Sequence, residues 1–127
     1  MKLSEAIRLG AMLRPQCTGA IYKRGKSCAW GAAWEAMGGD LAQWSHNRTM
    51  SSYTICQQYW PELHRLVIHP IDTYECYLYT IIESLNDNPN CWTRERIADW
   101  VATIEVQHQP QEVHHEVKYS DTTRVYA

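Results

Sequence analysis

Residues 74–105 read YECYLYTIIESLNDNPNCWTRERIADWVATIE, and this stretch is the strongest indication of a helical fold. Apolar side chains recur at helical spacing in two blocks, at Tyr74, Tyr77, Leu78, Ile81, Ile82 and Leu85 and then at Ile97, Trp100, Val101 and Ile104. Asp72 and Glu75 have the spacing of a capping box, and Thr93 is a suitable N-cap for the second block. The sequence therefore predicts helices over 74–85 and 93–105, packed as an αα-hairpin because the link between them is short.

Two further helices are predicted before this pair. Residues 4–13 carry an apolar stripe that begins after Ser4, a suitable N-cap. Residues 28–37 follow Ser27 and are apolar on nearly every side, which is typical of a central, buried helix. Gly10 and Gly31 interrupt these two helices, and a glycine there predicts that another backbone packs close to it.

The remaining segments have weaker patterns. Ala20-Ile21-Tyr22 and Ser27-Cys28-Ala29 could pair as a small β-hairpin around residues 23–26. A short helix is expected over part of 53–59, and Pro61 is placed to open another helix that runs to Leu66. We therefore expect a mainly α, compact helical bundle of about five helices, with a single domain over 1–106 and a C-terminal tail or short hairpin over 107–127.

Composition and charge exclude several classes of protein. The chain has 127 residues, of which 45% are hydrophobic and 20% charged, as expected of one globular domain with a core. The net charge of −2 disfavours binding to nucleic acid through a basic surface. The sequence has no apolar run of about 18 residues that would cross a membrane, and its first residues do not have the pattern of a signal peptide. We therefore expect a cytoplasmic protein.

The cysteines and histidines do not form a recognisable metal site. The five cysteines are an odd number without a CxxC pair, which favours free thiols. Two sets of side chains, Cys56, His64, His69 and Cys76 or His108, His114 and His115, lack the spacing of a closed zinc site. The sequence predicts neither a metal nor another cofactor.

A basic loop is the first candidate site. Lys23, Arg24, Lys26 and Ser27 lead into the helix at 28–37, whose free N–H groups would favour an anion such as a nucleotide phosphate. The other interpretation is a solvated, charged turn. Cys28 is a second candidate, because a position in the first helical turn beside basic side chains would lower the thiol pKa. A buried, inert cysteine is the alternative.

A candidate interface lies in the predicted helix 74–85. Tyr79 is flanked at one helical turn by Glu75 and Glu83, on the side opposite the apolar stripe. An exposed tyrosine in an acidic setting suits the basic surface of a partner protein, and isolated exposed aromatics are also common.

Several stretches resemble a family of small bacteriophage, prophage and bacterial proteins of unknown function. These stretches are SEAIRLGA at 4–11, PQ at 15–16, SCAWGAAWEA at 27–36, II at 81–82, LND at 85–87 and WTRERIADWV at 92–101, and Trp30 stands where leucine is more usual. The resemblance implies a compact helical fold and, for a phage-encoded chain, the host cell cytoplasm. It implies no catalytic residue.

Three functions follow as hypotheses. The first is a non-enzymatic accessory protein of phage or prophage type that binds a host or phage protein, in an undetermined oligomeric state. It predicts an exposed patch of aromatic and acidic side chains. The second is a small-molecule or nucleotide binder that uses the basic loop. The third is an enzyme that depends on Cys28.

Overall fold

A computed structural model describes residues 1–46 and 51–107 of the chain, without the side chains of 44–46. Over these residues it has five α-helices and two small two-stranded sheets. The predicted mainly α fold with a small β-hairpin is therefore confirmed. The predicted tail or hairpin over 107–127 lies, apart from Gln107, outside the described residues.

Helices and short strands alternate along the chain. The helices are α1 (Leu3–Ala11), α2 (Ala29–Ala36), α3 (Ser52–Tyr59), α4 (Leu78–Asn86) and α5 (Arg94–Gln107). The strands form two antiparallel hairpins, β1 (Tyr22–Lys23) with β2 (Lys26–Ser27) and β3 (Leu66–Ile68) with β4 (Glu75–Tyr77). Short 3₁₀ helices cover Leu41–His46 and Pro61–Leu63.

The core forms where α1 crosses α2 and packs on α5. A Cβ atom on Gly10 would lie 1.9 Å from the carbonyl oxygen of Ala32, so the predicted close approach of another backbone is confirmed. A Cβ on Gly31 would lie 2.3 Å from the carbonyl oxygen of Ile21, in the loop after α1 rather than in a helix. Each helix contributes fully buried side chains, including Leu3, Ile7, Trp30, Ile55, Ile81, Ile82, Leu85, Ile97 and Val101.

The start of α1 differs from the prediction. Lys2 is the N-cap, and Ser4 lies buried in the first turn instead. The backbone N–H and the hydroxyl of Ser4 donate hydrogen bonds to the Glu105 carboxylate, at 3.1 and 2.6 Å. A carboxylate of α5 therefore satisfies the N-terminus of α1, where negative charge is stabilising.

The first hairpin is tighter than predicted. Its two-residue turn, Arg24-Gly25, has positive φ angles of 53° and 78°, which match the twist of a short hairpin. The predicted second strand is wrong beyond Ser27, because Cys28 is the N-cap of α2 and Ala29 its first residue.

The second hairpin replaces helix that the sequence predicted. The helix predicted from Pro61 to Leu66 ends at Leu63, and the predicted helix 74–85 begins only at Leu78. Between them β3 and β4 pair, and Glu75 belongs to a strand rather than to a capping box. Pairing of the two strands buries Val67, and Thr73, with a positive φ of 60°, lies in the turn between them.

The predicted start of the last helix is confirmed. The Thr93 hydroxyl accepts a hydrogen bond from the Arg96 N–H at 3.1 Å, as an N-cap does. The helix packs on α1 and also contacts α4, the partner in the predicted αα-hairpin. Within residues 1–46 and 51–107, no helix has the length and apolar character to cross a membrane.

Candidate functional site

A buried polar network joins the loop after α1 to the start of α2 and the end of α4. Asn86 is 1% exposed and makes four hydrogen bonds. Its side-chain oxygen accepts from Gln16 Nε2 at 2.9 Å and from the Ala29 N–H at 3.0 Å. Its side-chain nitrogen donates to the Cys17 carbonyl and to Asp87, both at 2.9 Å. This satisfies every hydrogen-bonding position of the amide.

Arg94 extends the network to the first hairpin. The side chain is buried, and its guanidinium donates to the Ser27 hydroxyl at 2.9 Å and to the Arg14 carbonyl at 2.7 Å. Burial lowers the pKa of Arg94 from its ordinary value. We call Gln16, Ser27, Asn86, Asp87 and Arg94 the junction. All five lie in the stretches that carry the expected resemblance, at 15–16, 27–36, 85–87 and 92–101. Their contacts hold elements of the fold together.

The anion site predicted at the basic loop is not assembled. Lys23, Arg24 and Lys26 are exposed in the β1–β2 hairpin, whereas Ser27 is fully buried in the junction. Two N–H groups at the start of α2 are already occupied. That of Ala29 donates to Asn86, and that of Gly31 donates to the Cys28 sulfur at 3.4 Å.

The pocket beside α2 also has the wrong charge for an anion. It has a volume of about 230 Å³, and Gly19, Cys28, Glu83 and Asp87 are among its lining residues. Its two carboxyl groups would repel a phosphate. The Glu83 carboxyl accepts a hydrogen bond from the Ser52 hydroxyl, yet burial raises the pKa of Glu83 above its ordinary value.

Cys28 does not have the environment of a reactive thiol. Its side chain is 6% exposed, and burial raises the pKa of the Cys28 thiol to about 12. The basic side chains next to it in sequence point to solvent, so the pKa depression expected from position alone is wrong. Cys91 is the exposed cysteine within residues 1–46 and 51–107.

Aromatic rings gather around His64, from α3, β4 and α4. The rings of His64 and Tyr77 are stacked, with centroids 4.8 Å apart and planes 7° apart. Tyr53 contacts His64 edge-on at 5.3 Å, and Tyr79 lies 5.9 Å from His64. We call Tyr53, His64, Tyr77 and Tyr79 the tyrosine–histidine cluster. Tyr53 and Tyr77 remain 43% and 42% exposed, so the cluster reaches the surface.

The cluster continues onto the outer face of the second hairpin. Leu66 pairs with Tyr77 and Ile68 with Glu75, and side chains of paired residues share one side of a sheet. Leu66 is 48% exposed and Ile68 54%, while Val67 between them is buried. We call Leu66, Ile68, Glu75 and Tyr77 the hairpin face.

The three predicted interface residues do not share a helical face. Glu75 is exposed on β4 and belongs to the hairpin face. Tyr79 is half-buried in the tyrosine–histidine cluster, and its carbonyl accepts from Trp30 Nε1 at 3.1 Å. Glu83 is half-buried in the pocket beside α2. The predicted outward face is wrong because the helix starts after Glu75.

Sequence reasoning missed Tyr53, His64, Leu66 and Ile68. The sequence carries little signal for β3, because Leu66, Val67 and Ile68 are apolar at three consecutive positions, and so short an apolar run fits a strand and a helix equally well. Among residues 1–46 and 51–107, no group of three metal-binding side chains comes together.

No family model, curated protein or solved structure matches the chain.

Proposed function

We propose that the protein is a non-enzymatic binding module that attaches to another protein through the hairpin face and the tyrosine–histidine cluster. The observation that carries this proposal is the concentration of exposed large apolar side chains over residues 53–77. They are Tyr53, Leu66, Ile68, Ile71, Tyr74 and Tyr77. Leu66, Ile68 and Tyr77 share one side of the β3–β4 hairpin, and an exposed apolar patch of this kind is typical of an interaction site.

The chemistry of the patch suits a protein partner. Tyrosine contributes a large apolar area with a polar end, and it is enriched at the energetic centres of interfaces. Ring stacking at 4.8 Å holds Tyr77 against His64, so little side-chain freedom is lost on binding. Glu62 and Glu75 are exposed nearby and add the acidic character that suits a basic rim on the partner.

The other hypotheses have less support. Two N–H groups at the start of α2 are already occupied, and the three cations of the basic loop are exposed on the β1–β2 hairpin. A Cys28-dependent reaction would need a thiolate, which burial opposes. We therefore retain the phage- or prophage-type accessory role, in the cytoplasm of the host cell, with a host or phage protein as the partner.

Site-directed photo-crosslinking tests this proposal. A benzophenone amino acid replaces Tyr53 in the full chain, which is then expressed in bacterial cells and irradiated. We expect a discrete adduct with one protein, identified by mass spectrometry. The additional change Tyr77→Ala should remove most of that adduct, because it deletes the centre of the contact.

The matched control places the same probe at Leu13. Leu13 is 56% exposed and lies just after α1, outside the patch. An adduct from position 53 that is absent from position 13 supports the proposal. The same set of adducts from both positions, or no adduct from position 53, would contradict it.

A further inference from the structure

Within the part of the chain that the structure describes, the outer edge of β3 carries backbone groups without partners. In an antiparallel pair, residues alternate between those that bond across the ladder and those whose N–H and C=O point outward. The bonds Leu78 N–H to Arg65 and His69 N–H to Tyr74, both to carbonyls, fix this alternation. Leu66 and Ile68 therefore point their N–H and C=O groups away from β4. No hydrogen bond to these groups is found among residues 1–46 and 51–107.

A groove runs along this edge. It has a volume of about 350 Å³ and separates β3 from the C-terminal half of α5. One wall consists of the four consecutive residues 65–68, and the other includes Trp100 and Ile104. Arg65 and all three residues of β3 line the groove, whereas Glu75 is the residue of β4 that does so. The groove therefore lies beside β3 rather than over the sheet.

The groove combines an apolar floor with opposite charges at its two ends. Trp100 is half-buried and Ile104 is 5% exposed, so they offer contact surface at the bottom. Arg65 precedes β3, while Glu75 pairs with Ile68 at the other end of the strand. Both of these charged residues are exposed, and neither has a salt bridge within the described residues.

We propose that the partner contributes an extended strand that pairs with β3 and lies in this groove. An extended backbone is the structure that supplies N–H and C=O groups at the spacing of Leu66 and Ile68. The strand should alternate apolar and polar residues, with an acidic side chain toward Arg65 and a basic one toward Glu75. This inference rests on the proposed function and specifies the chemistry of the partner.

Selection from a displayed library of random twelve-residue peptides tests the inference on the full chain. We expect the selected peptides to share alternating apolar residues between one acidic and one basic position. Each N–H of a selected synthetic peptide is then methylated in turn. Pairing with β3 predicts at least a tenfold loss of affinity at the two positions that lie opposite Leu66 and Ile68, and little change at the position between them, because alternate N–H groups face β3.

A variant of the protein gives the complementary test. Ile68→Pro removes one outward N–H without touching the β3–β4 ladder, and proline is tolerated on edge strands. It should weaken the selected peptide at least tenfold relative to Ile68→Val, which keeps the N–H. Circular dichroism checks that both variants fold. If Ile68→Pro does not fold, the N-methyl scan alone tests whether the peptide pairs with β3.

The outcomes separate the inference from the proposed function. No enriched peptide, or an N-methyl scan without period two, overturns strand addition. If the Tyr53 adduct still depends on Tyr77 in that case, the proposed binding face stands. Selection of peptides that match this chain's own residues 113–119, or dimerisation that Ile68→Pro abolishes, would assign the groove to the chain itself and would also overturn the inference.

Discussion

The junction and the hairpin face differ in the burial and hydrogen bonding of their residues. In the junction, Asn86 is buried and all four of its hydrogen-bonding positions are filled. On the hairpin face, Leu66 and Ile68 expose about half of their side chains, and their outward backbone groups have no partner in the described chain. The first region resembles a completed interior, and the second resembles half of an interface.

The difference shows where to look for function in this molecule. The motif-bearing stretches at 15–16, 27–36, 85–87 and 92–101 supply the junction, whose hydrogen bonds join elements of the same chain. A motif can therefore mark the residues that hold a fold together. The exposed aromatic residues come from segments without such a motif, and their arrangement on the surface is what suggests binding.

Asn86→Ala should have the largest effect on stability, because it removes the residue at the centre of the junction. It leaves the Ala29 N–H and the Cys17 carbonyl buried without partners, and each such group costs about 1–3 kcal/mol. We expect the free energy of unfolding in urea to fall by about 3 kcal/mol. Gln58→Ala, at an exposed position of α3, should change it by less than about 0.5 kcal/mol. Equal values for the two variants would refute the structural role of the junction.

Tyr77→Ala should act on binding rather than on folding. We expect the affinity for the cross-linked partner to fall by about 10- to 30-fold, since truncation of a central interface tyrosine costs about 2 kcal/mol. Because Tyr77 is 42% exposed, unfolding should change by less than about 1 kcal/mol. Isothermal titration and urea unfolding measure the two effects. Leu13→Ala is the control. An equal loss of affinity in Leu13→Ala would show that the effect of Tyr77→Ala is not specific to the hairpin face.

Cys28→Ala tests whether Cys28 has a structural role or acts as a reactive thiol. Its sulfur accepts the Gly31 N–H as the N-cap of α2, and loss of a cap costs about 1 kcal/mol. We expect that decrease in unfolding free energy, with partner binding unchanged. In the native protein, iodoacetamide should modify Cys91 and leave Cys28 intact. Rapid native alkylation of Cys28 would contradict this assignment.

Glu83→Gln should give the smallest effect, visible as a change of pH dependence. Burial raises the pKa of Glu83 above 4.5, so the folded state binds its proton more tightly than the unfolded state does. Stability from this group is present below about pH 4.5 and is lost as the pH rises through the folded pKa. The glutamine can still accept from Ser52, and it should flatten this slope and slightly stabilise the protein at pH 7. Urea unfolding of the variant and of the unchanged chain across acid and neutral pH measures the difference, and equal slopes would contradict this assignment.

Local chemistry accounts for what could be predicted from the sequence. The buried α2, the Thr93 cap and the close approach at Gly10 follow from neighbouring residues alone. The β3–β4 hairpin was missed because Tyr74 and Tyr77 fit helical spacing and the Asp72–Glu75 spacing imitates a capping box. The junction could not be predicted, because its members are brought together only by the fold.

Amide hydrogen exchange of the full chain, with and without the cross-linked partner, tests most directly whether binding occurs at the hairpin face. We expect the partner to slow amide exchange in 64–78, most strongly at the outward N–H groups of Leu66 and Ile68. Exchange in 16–30, around the junction and the basic loop, should stay unchanged. Slowed exchange in 16–30 with no change in 64–78 would show that the partner does not bind at the hairpin face.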